Sequence, residues 1–210
     1  MPRRSYDQYC PLSRALDVIG ERWSALIVRE LLAGPRRYTD LHADLPGVST
    51  DVLAARLKEM ERDGLVARRR LPAPAAAAVY ELTPRGRDLL PALTALADWG
   101  AADLAGPRPT DALRAHWFAL PLMARLAELA APVESTVNIV LDEGAFHILI
   151  SAAGPAYGHG LAEHPDAELA FDAVACAAVA RGEATLPELI KTSQIRVDGD
   201  SPLAQALRNQ

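Results

Sequence analysis

The sequence lacks most of the features that mark a secreted, membrane-bound or disulfide-stabilised protein. Only two cysteines, Cys10 and Cys176, occur in 210 residues. No apolar run approaches the roughly 18 residues of a membrane-spanning helix. The N-terminal arginines are not followed by an apolar segment, so no secretory signal is predicted. These absences predict a cytoplasmic protein without a disulfide framework and without a membrane partner.

Motifs for catalysis and metal binding are also missing. The five histidines show no HExxH or comparable ligand spacing, and there is no CxxC pair. The segment GPAYGHG at residues 154–160 is not GxGxxG and lacks the strand-to-helix context of a dinucleotide site. The sequence contains no internal repeat. We therefore predict no catalytic residues, no metal site and no cofactor, and we expect a protein that is not an enzyme.

Charge is distributed unevenly along the chain. The net charge is −5, which by itself argues against a nucleic-acid partner. However, residues 1–105 contain 15 Lys and Arg against 14 Asp and Glu, whereas residues 106–210 contain 7 against 13. The arginines of the first half are clustered at residues 36–37, 56–62 and 68–70. A local basic surface is therefore compatible with the acidic total.

Residues 38–83 carry the most informative pattern of the chain. Leu41 and Leu45 give one helix an apolar face, Pro46-Gly47 ends it, and Ser49 is a suitable N-cap for a second helix at residues 49–63. Leu53, Leu57 and Met60 form the buried stripe of that helix. A strand that begins at Val66 and a returning strand at residues 79–82 would form a β-hairpin wing. The alternative interpretation is a helical hairpin on a small sheet that binds nothing.

Helices are predicted on both sides of this stretch. One is expected over residues 12–32 with a break near Gly20, and Thr39 is expected to cap the next. Thr83-Pro84 predicts the start of a helix that continues to about Leu104. Its large apolar surface favours packing against a second copy of the chain, and packing within one chain is the alternative.

The second half predicts an α/β arrangement. Residues 106–110 are a proline-rich linker, and Thr110 is expected to cap a helix that ends near residue 130. Alternating apolar residues predict a hairpin at residues 135–141 and 145–151. A third strand or a loop is expected at residues 154–160, and short strands at residues 169–171 and 195–197. Asp172 and Thr185 are predicted N-caps of further helices, and residues 202–207 of a closing helix.

The blocks of the first half occur in the order of a known family. Cys10-Pro11 is followed by LDVIGERWSALIVRELLAGPRRYTDL from Leu16, LPGVSTDVLAARLKEMERDGLVARR from Leu45 and VYELTPRGRDL from Val79. This half resembles the HxlR family of bacterial winged-helix transcriptional regulators, which are related to the MarR group. The resemblance implies a homodimer whose recognition helices, at residues 49–63, enter successive major grooves of double-stranded operator DNA.

The candidate contacts to DNA combine groove and phosphate donors. They are Ser49, Thr50, Lys58 and Arg62 on the recognition helix, with Arg56, Arg68, Arg69 and Arg70 for backbone phosphates. The wing departs from the family, because its tip has alanine at residues 75–78 where a basic residue is usual. Losing such phosphate contacts would weaken binding to DNA.

Cys10 has two interpretations. Some members of the resembled family sense oxidants or electrophiles through a cysteine near the first helix, and a position just before a helix lowers a thiol pKa. A single cysteine is also compatible with an inert packing role. Cys176, in an alanine-rich run, is expected to be a buried packing residue.

The end of the chain resembles a second family. The residues AELAFDAVACAAVARGEATLPELIKTSQIRVDGD, from Ala167, resemble the sterol-carrier-protein-like domain. The resemblance implies a five-stranded sheet with an apolar ligand site. Six residues are candidates to line that site or, alternatively, only to fill a core: Trp117, Phe118, Phe146, Ile148, Tyr157 and Phe171.

The sequence thus predicts two domains. Residues 1–105 form a mainly α-helical winged helix-turn-helix with a β-hairpin wing, and residues 111–210 an α/β domain with a small, mostly antiparallel sheet. The predicted function is a homodimeric regulator, expected to be a repressor, with a small hydrophobic or amphipathic effector. The alternative is a winged-helix fold reused in a small-molecule binding or sequestering protein, or in a noncanonical enzyme, with weak or no DNA binding.

Overall fold

The structure, a computed structural model, describes residues 5–72, 77–104, 106–129 and 134–209. The chain forms two compact units that divide between Leu90 and Pro91. The proposed domain limits at residues 105 and 111 stay a prediction. The alanine-rich wing tip falls partly on residues 73–76, outside the described residues. None of the helices in the described part of the chain is long and apolar enough to span a membrane.

The first unit is a set of short helices around a three-stranded sheet in the order β1-β3-β2. Both strand pairs are antiparallel, and β2 and β3 form the predicted hairpin with Ala67 opposite Glu81. The elements follow in the order α1 (Pro11–Ile19), α2 (Ser24–Leu32), β1 (Arg36–Arg37), α3 (Tyr38–Ala43), α4 (Thr50–Arg62), β2 (Val66–Arg70), β3 (Ala78–Leu82) and α5 (Pro84–Arg87). This is the predicted winged helix-turn-helix.

The predicted break in the first helical stretch is present. Helix α1 ends with Gly20 as its C-cap, whose N–H donates to the carbonyl of Leu16 at 2.8 Å. A methyl group on Gly20 would lie 2.5 Å from that carbonyl oxygen, so a glycine suits this close approach. The prediction for Thr39 was wrong. Arg36 and Arg37 form a strand beside β3, so α3 begins directly at Tyr38 with Arg37 as its N-cap.

Proline interrupts the helix that was predicted from Thr83 to Leu104. Thr83 does cap α5, since its Oγ1 accepts the N–H of Gly86 at 3.2 Å. Helix α5 stops after Arg87, and a separate helix, α6 (Leu90–Ala101), begins after two intervening residues. Pro91 has no N–H to donate to the preceding turn, and it is tolerated only in the first turn of a new helix.

The same physics corrects the helix predicted from Thr110 to residue 130. Thr110 starts no helix, and a single 3₁₀ turn (Ala115–Phe118) leads into α7 (Ala119–Leu129). Pro121 therefore sits in the first turn of α7, where its missing N–H would have no partner in the helix. A continuous helix from residue 111 would have placed it in the interior.

The second unit is built on a five-stranded sheet in the order β6-β5-β4-β7-β8. The pairs are antiparallel except β4 with β7, so the sheet is mostly antiparallel, as predicted. Its remaining elements are β4 (Ser135–Leu141), β5 (Gly144–Ile150), β6 (Ala156–His159), β7 (Ala167–Ala170), α8 (Ala173–Ala180), α9 (Leu186–Lys191), β8 (Arg196–Asp198) and α10 (Pro202–Arg208).

One face of this sheet is the apolar core of the unit. Val137 and Ile139 of β4 lie opposite Ile148 and Phe146 of β5, and all four side chains are fully buried. Helix α7 packs on β5 and β6, and α10 packs on β7 and β8. The predicted N-caps Asp172 and Thr185 are confirmed, since each side chain accepts a backbone N–H of the helix it precedes.

Candidate functional site

Helix α4 turns its apolar residues inward and leaves a small, partly charged face toward solvent. Leu53, Leu57 and Met60 are almost fully buried, as the helical spacing predicts. The exposed residues of the helix are Thr50, Asp51, Val52, Ala54, Ala55, Lys58 and Arg62. Short side chains over most of this face let a helix approach other surfaces closely, and a major groove of DNA is wide enough to admit it.

The start of α4 is fixed by two hydrogen bonds. The Oγ of Ser49 accepts the backbone N–H of Val52 at 3.3 Å, which makes Ser49 the predicted N-cap. The hydroxyl of Tyr38, at the start of α3, donates to the carbonyl of Thr50 at 2.7 Å. Gly47 supplies the positive φ of +90° that the turn between α3 and α4 requires. The two helices are thereby held in one geometry.

Arg56 is tied to two carboxylates. One guanidinium nitrogen lies 2.6 Å from Glu59, one turn along α4, and another lies 3.4 Å from Glu21 in the turn before α2. Only 18% of its side chain is exposed. Much of the positive charge of Arg56 is therefore compensated within the protein, and the residue fastens α4 to the turn between α1 and α2.

The three arginines of the wing are exposed, but they differ in their partners. The guanidinium of Arg69 lies 3.1 Å from the carboxylate of Glu81 on the neighbouring strand. Hydrogen bonding to Glu81 raises the pKa of Arg69. Arg68 and Arg70 are exposed on the same strand. On α4, Arg62 has a looser contact with the adjacent Asp63 at 4.0 Å.

Glu21 and Glu81 are the functional neighbours that the sequence interpretation missed. Glu81 lies diagonally across the hairpin from Arg69, so correct strand register alone would have revealed that pair. The partnership of Glu21 with Arg56 spans 35 positions and depends on how α2 packs beside α4, which no local pattern records. A shallow cleft of about 270 Å³ between α1 and α5 was also missed; it is lined by Arg14, Val18, Ile19, Leu65, Arg85 and Leu89 among others.

Cys10 is the N-cap residue of α1. Hydrogen bonding from the backbone N–H of Ser13, with a smaller contribution from the Ser13 side chain, lowers the pKa of its thiol. The preceding residues are held in place, because Ser5 and the N–H of Tyr6 both donate to Asp17 of α1. Cys176, in contrast, is fully buried in α8, and burial strongly raises the pKa of its thiol. Only Cys10 therefore has the environment of a reactive cysteine.

Helix α6 exposes apolar side chains along one side. Leu96 is 54% exposed and Trp99 is 76% exposed, and Ala92 and Ala95 lie on the same side of the helix. Asp98 is the one charged residue in α6. Exposed apolar side chains grouped in this way are typical of interaction surfaces.

Three of the six proposed ligand-lining residues come together on the buried face of the second sheet. Phe146 and Ile148 are neighbours on β5, and Tyr157 of β6 lies opposite Ile148. Phe118, on the 3₁₀ turn, and Phe171, directly after β7, are also buried. The remaining residue, Trp117, is half-buried. All six lie in the second unit, and their burial agrees both with a site lining and with a filled core.

Two histidines lie among these apolar residues, and the sequence did not single them out. His159 ends β6 opposite Phe146, and its ring centroid is 4.7 Å from that of His116 on the 3₁₀ turn. The ring of His116 also meets Trp117 edge-on at 6.3 Å. The apolar region of the second unit is therefore bordered by polar ring nitrogens of the kind that orient a ligand.

Two family models match the chain. The first describes an HxlR-like helix-turn-helix and matches residues 18–106, and the second describes the SCP-2 sterol transfer family and matches residues 119–210. Both predicted resemblances are thereby confirmed.

Relatives of the chain are transcriptional regulators of the helix-turn-helix type. The uncharacterized HTH-type transcriptional regulator YvaP of Bacillus subtilis is 40% identical over 93 residues, which are 44% of this chain and 86% of YvaP. The HTH-type transcriptional regulator YodB of the same species is 34% identical, over 43% of this chain and 81% of YodB. A solved structure, the reduced form of YodB, covers 50% of this chain and 100% of its own, with 32% identity and a TM-score of 0.41.

Proposed function

Because the chain belongs to the HxlR-like helix-turn-helix family, we propose that it is a transcriptional regulator that binds operator DNA as a homodimer. The observation that carries this proposal is the geometry of α4. The apolar stripe of α4 is buried and its first turn is capped by Ser49. Its exposed face combines small residues with Lys58 and Arg62. Regulators of this kind place such a helix in the major groove.

The proposed contacts fall into three groups. Thr50 and Lys58 lie on the exposed face of α4 and reach base edges or phosphates, with Ser49 at its start and Arg62 at its end. Arg68 and Arg70 on the wing supply charge to the backbone. Arg56 and Arg69 are held by carboxylates, so each contributes less to phosphate neutralisation than an unpaired cation and more to positioning.

We propose that the exposed side of α6 is the dimer interface. Burying Leu96 and Trp99 against a second copy removes apolar surface from water. Each Å² of buried apolar surface stabilises the dimer by about 25 cal/mol. A dimer also suits the function, because two recognition helices can then contact two half-sites separated by one turn of DNA.

The C-terminal unit supplies the effector site in this proposal. Its SCP-2 match and the buried set Phe118, Phe146, Ile148, Tyr157 and Phe171, with half-buried Trp117, support binding of a small hydrophobic or amphipathic molecule. The effector changes DNA affinity only if it binds the DNA-competent and incompetent forms of the dimer unequally. Repression relieved by the effector is the form that we propose.

A replacement in the sheet tests the effector site. Ile148→Trp adds bulk to the buried face and should abolish displacement of the apolar probe 1-anilinonaphthalene-8-sulfonate by ligands. Leu149→Trp is the matched control, because the neighbouring side chain points to the opposite face and is 41% exposed. Equal effects of both variants would argue against a site on this face.

Cys10 is proposed as a redox-sensitive position of the regulator. Its thiol is partly accessible, and hydrogen bonding at the start of α1 favours the thiolate. A Cys10→Ser variant that loses the response of DNA binding to mild oxidation, with unchanged affinity under reducing conditions, would support this role. An identical oxidant response in wild type and variant would reject it.

DNA binding itself is tested by fluorescence anisotropy on the DNA upstream of the gene that encodes this chain. Tight binding that survives nonspecific competitor and weakens with salt supports the regulator. A protein that binds hydrophobic ligands tightly and has no salt-sensitive DNA affinity would instead be a small-molecule binding or sequestering protein. The two charge-compensated arginines, Arg56 and Arg69, are the observation that favours this second function.

A further inference from the structure

Arg22 is a basic residue beside α4 that the sequence pattern did not single out. It lies in the turn between α1 and α2, and its side chain is exposed. The carbon at the centre of its guanidinium lies 5.6 Å from the centroid of the Trp23 ring. A cation in this position is attracted by the electron-rich face of the ring, which restricts the motion of a long side chain.

The Trp23 ring connects this arginine to the helix-turn-helix. Its Cη2 atom would lie 3.9 Å from a methyl group built on Gly47, in the turn that joins α3 and α4. Glu21, which precedes Arg22, has a carboxylate oxygen 3.4 Å from the guanidinium of Arg56 in the middle of α4. The segment of residues 21–23 is therefore tied to α4 by the ion pair of Glu21 with Arg56, and Trp23 lies next to the turn that precedes α4.

The charge of Arg22 is available, whereas the charges of two other candidate arginines are compensated by carboxylates. Arg56 and Arg69 are in close ion pairs with carboxylates, at 2.6 and 3.1 Å. Within residues 5–72, 77–104, 106–129 and 134–209, no carboxylate forms an ion pair with Arg22. A guanidinium that lies over the face of a ring still has its N–H groups available to donate to a phosphate.

We propose that Arg22 contacts a backbone phosphate of DNA next to the groove that α4 enters, and that Trp23 positions its guanidinium. The inference rests on the proposed DNA-binding function and adds a contact outside the recognition helix and wing. A phosphate contact fixes the position of a protein on the duplex and carries no sequence information directly. Its loss should therefore weaken binding to all DNA sequences alike.

The test is a salt titration of DNA affinity with full-length protein, by fluorescence anisotropy between 50 and 200 mM salt. Wild type, Arg22→Ala and Arg22→Gln are compared on the upstream DNA and on an unrelated duplex. Each phosphate contact contributes about −0.9 to the slope of log affinity against log salt. Both variants should make the slope less negative by about 0.9, so the fourfold rise in salt should cost them about 3.5-fold less affinity than wild type.

Two further variants show whether a change in the salt slope is specific to the charge at position 22. Arg125→Ala removes an arginine of similar exposure, 44%, from α7 of the second unit and should leave the slope unchanged. Arg22→Lys keeps the charge and should keep the slope, while losing affinity because the stacked planar group is gone. Glutamine and lysine at position 22 also separate loss of charge from loss of fold.

The possible results have distinct meanings. If wild type shows a salt slope and Arg22→Ala has the same slope and affinity, the Arg22 contact is wrong and the DNA-binding function stands. If Arg22→Ala weakens binding to the upstream DNA alone, Arg22 reads bases and the phosphate assignment is wrong. If wild type has no salt-sensitive affinity for DNA, the proposed function fails, and the Arg22 contact fails with it.

Discussion

Ser49 allows the stability of the recognition helix to be separated from its contact with DNA. In Ser49→Ala the N–H of Val52 loses its acceptor at the start of α4. Removing an N-cap costs about 0.5–2 kcal/mol. The bond is 3.3 Å long and Val52 is 43% exposed, so water replaces much of the lost interaction. We therefore expect a loss at the lower end, about 0.5–1 kcal/mol.

Ser49→Asp should behave differently. A carboxylate at the N-cap accepts the same hydrogen bond and interacts favourably with the helix dipole, by about 0.3–1 kcal/mol. Stability should therefore stay at or slightly above that of wild type. The same carboxylate faces the phosphates in the proposed complex, so DNA affinity should fall on every sequence. The alanine variant should lose far less DNA affinity than the aspartate variant.

The loss of stability in Ser49→Ala is measured by urea denaturation, with hydrogen exchange of the peptides that cover α4 as the readout. With a slope of about 1.5 kcal/mol/M, Ser49→Ala should lower the midpoint by about 0.3–0.7 M. Thr185→Ala is the matched control, because it removes the capping box of α9 in the second unit. It should destabilise that unit and leave DNA affinity unchanged. An aspartate variant that binds DNA as well as wild type would refute the proposed placement of α4.

Three further predictions address other parts of the chain. Iodoacetamide should modify Cys10 faster than a free thiol at pH 7, because the lowered pKa of Cys10 means that more thiolate is present at that pH. Cys176 should stay unmodified in the folded protein, and equal reactivity of Cys10 and Cys176 would contradict the structure. Gly86→Ala should destabilise the first unit by more than 1 kcal/mol in urea, because its new methyl group would lie 2.2 Å from a backbone oxygen; unchanged stability would contradict the packing of α5. Replacing both Leu96 and Trp99 with glutamate should convert dimer to monomer in sedimentation equilibrium, and a persisting dimer would place the interface elsewhere.

Local patterns predicted the recognition helix and the second sheet well. The stripe of Leu53, Leu57 and Met60 repeats with the period of a helix, and the strand alternation at Val137 and Ile139 has a period of two. The sequence shows this periodicity directly, because one face of each helix or strand is buried and carries apolar residues. Caps were equally readable where a single side chain satisfies a backbone N–H, as at Ser49 and Thr185.

The predicted helix limits were wrong where a proline or a strand pairing, and not the apolar pattern, determined where the helix begins. Leucines continue at helical spacing across Pro91 and Pro121, yet the helices restart at each proline because the missing N–H is tolerated only in a first turn. Thr39 resembles an N-cap, but pairing of β1 with β3 sets the start of α3 at Tyr38. Each case needed information on long-range pairing or on turn position that apolar spacing does not contain.

The exposure of the proposed DNA-contacting residues could be predicted from the sequence, whereas the ion pairs that compensate their charge could not. Sequence placed the basic residues on α4 and the wing, and the structure agrees on their exposure except for Arg56. It could not reveal that Arg56 is held by Glu21, or that Arg22 lies beside the recognition helix. Both depend on the packing of the turn between α1 and α2 against α4, which involves residues far apart in the chain.

The function proposed here depends on specific binding of this chain to DNA. Its most direct test is an anisotropy titration of the full-length protein on the DNA upstream of the gene that encodes it, at two salt concentrations and with nonspecific competitor. We expect tight, competitor-resistant binding that weakens steeply at the higher salt. Weak binding that does not change with salt, or binding that competitor removes completely, would contradict it.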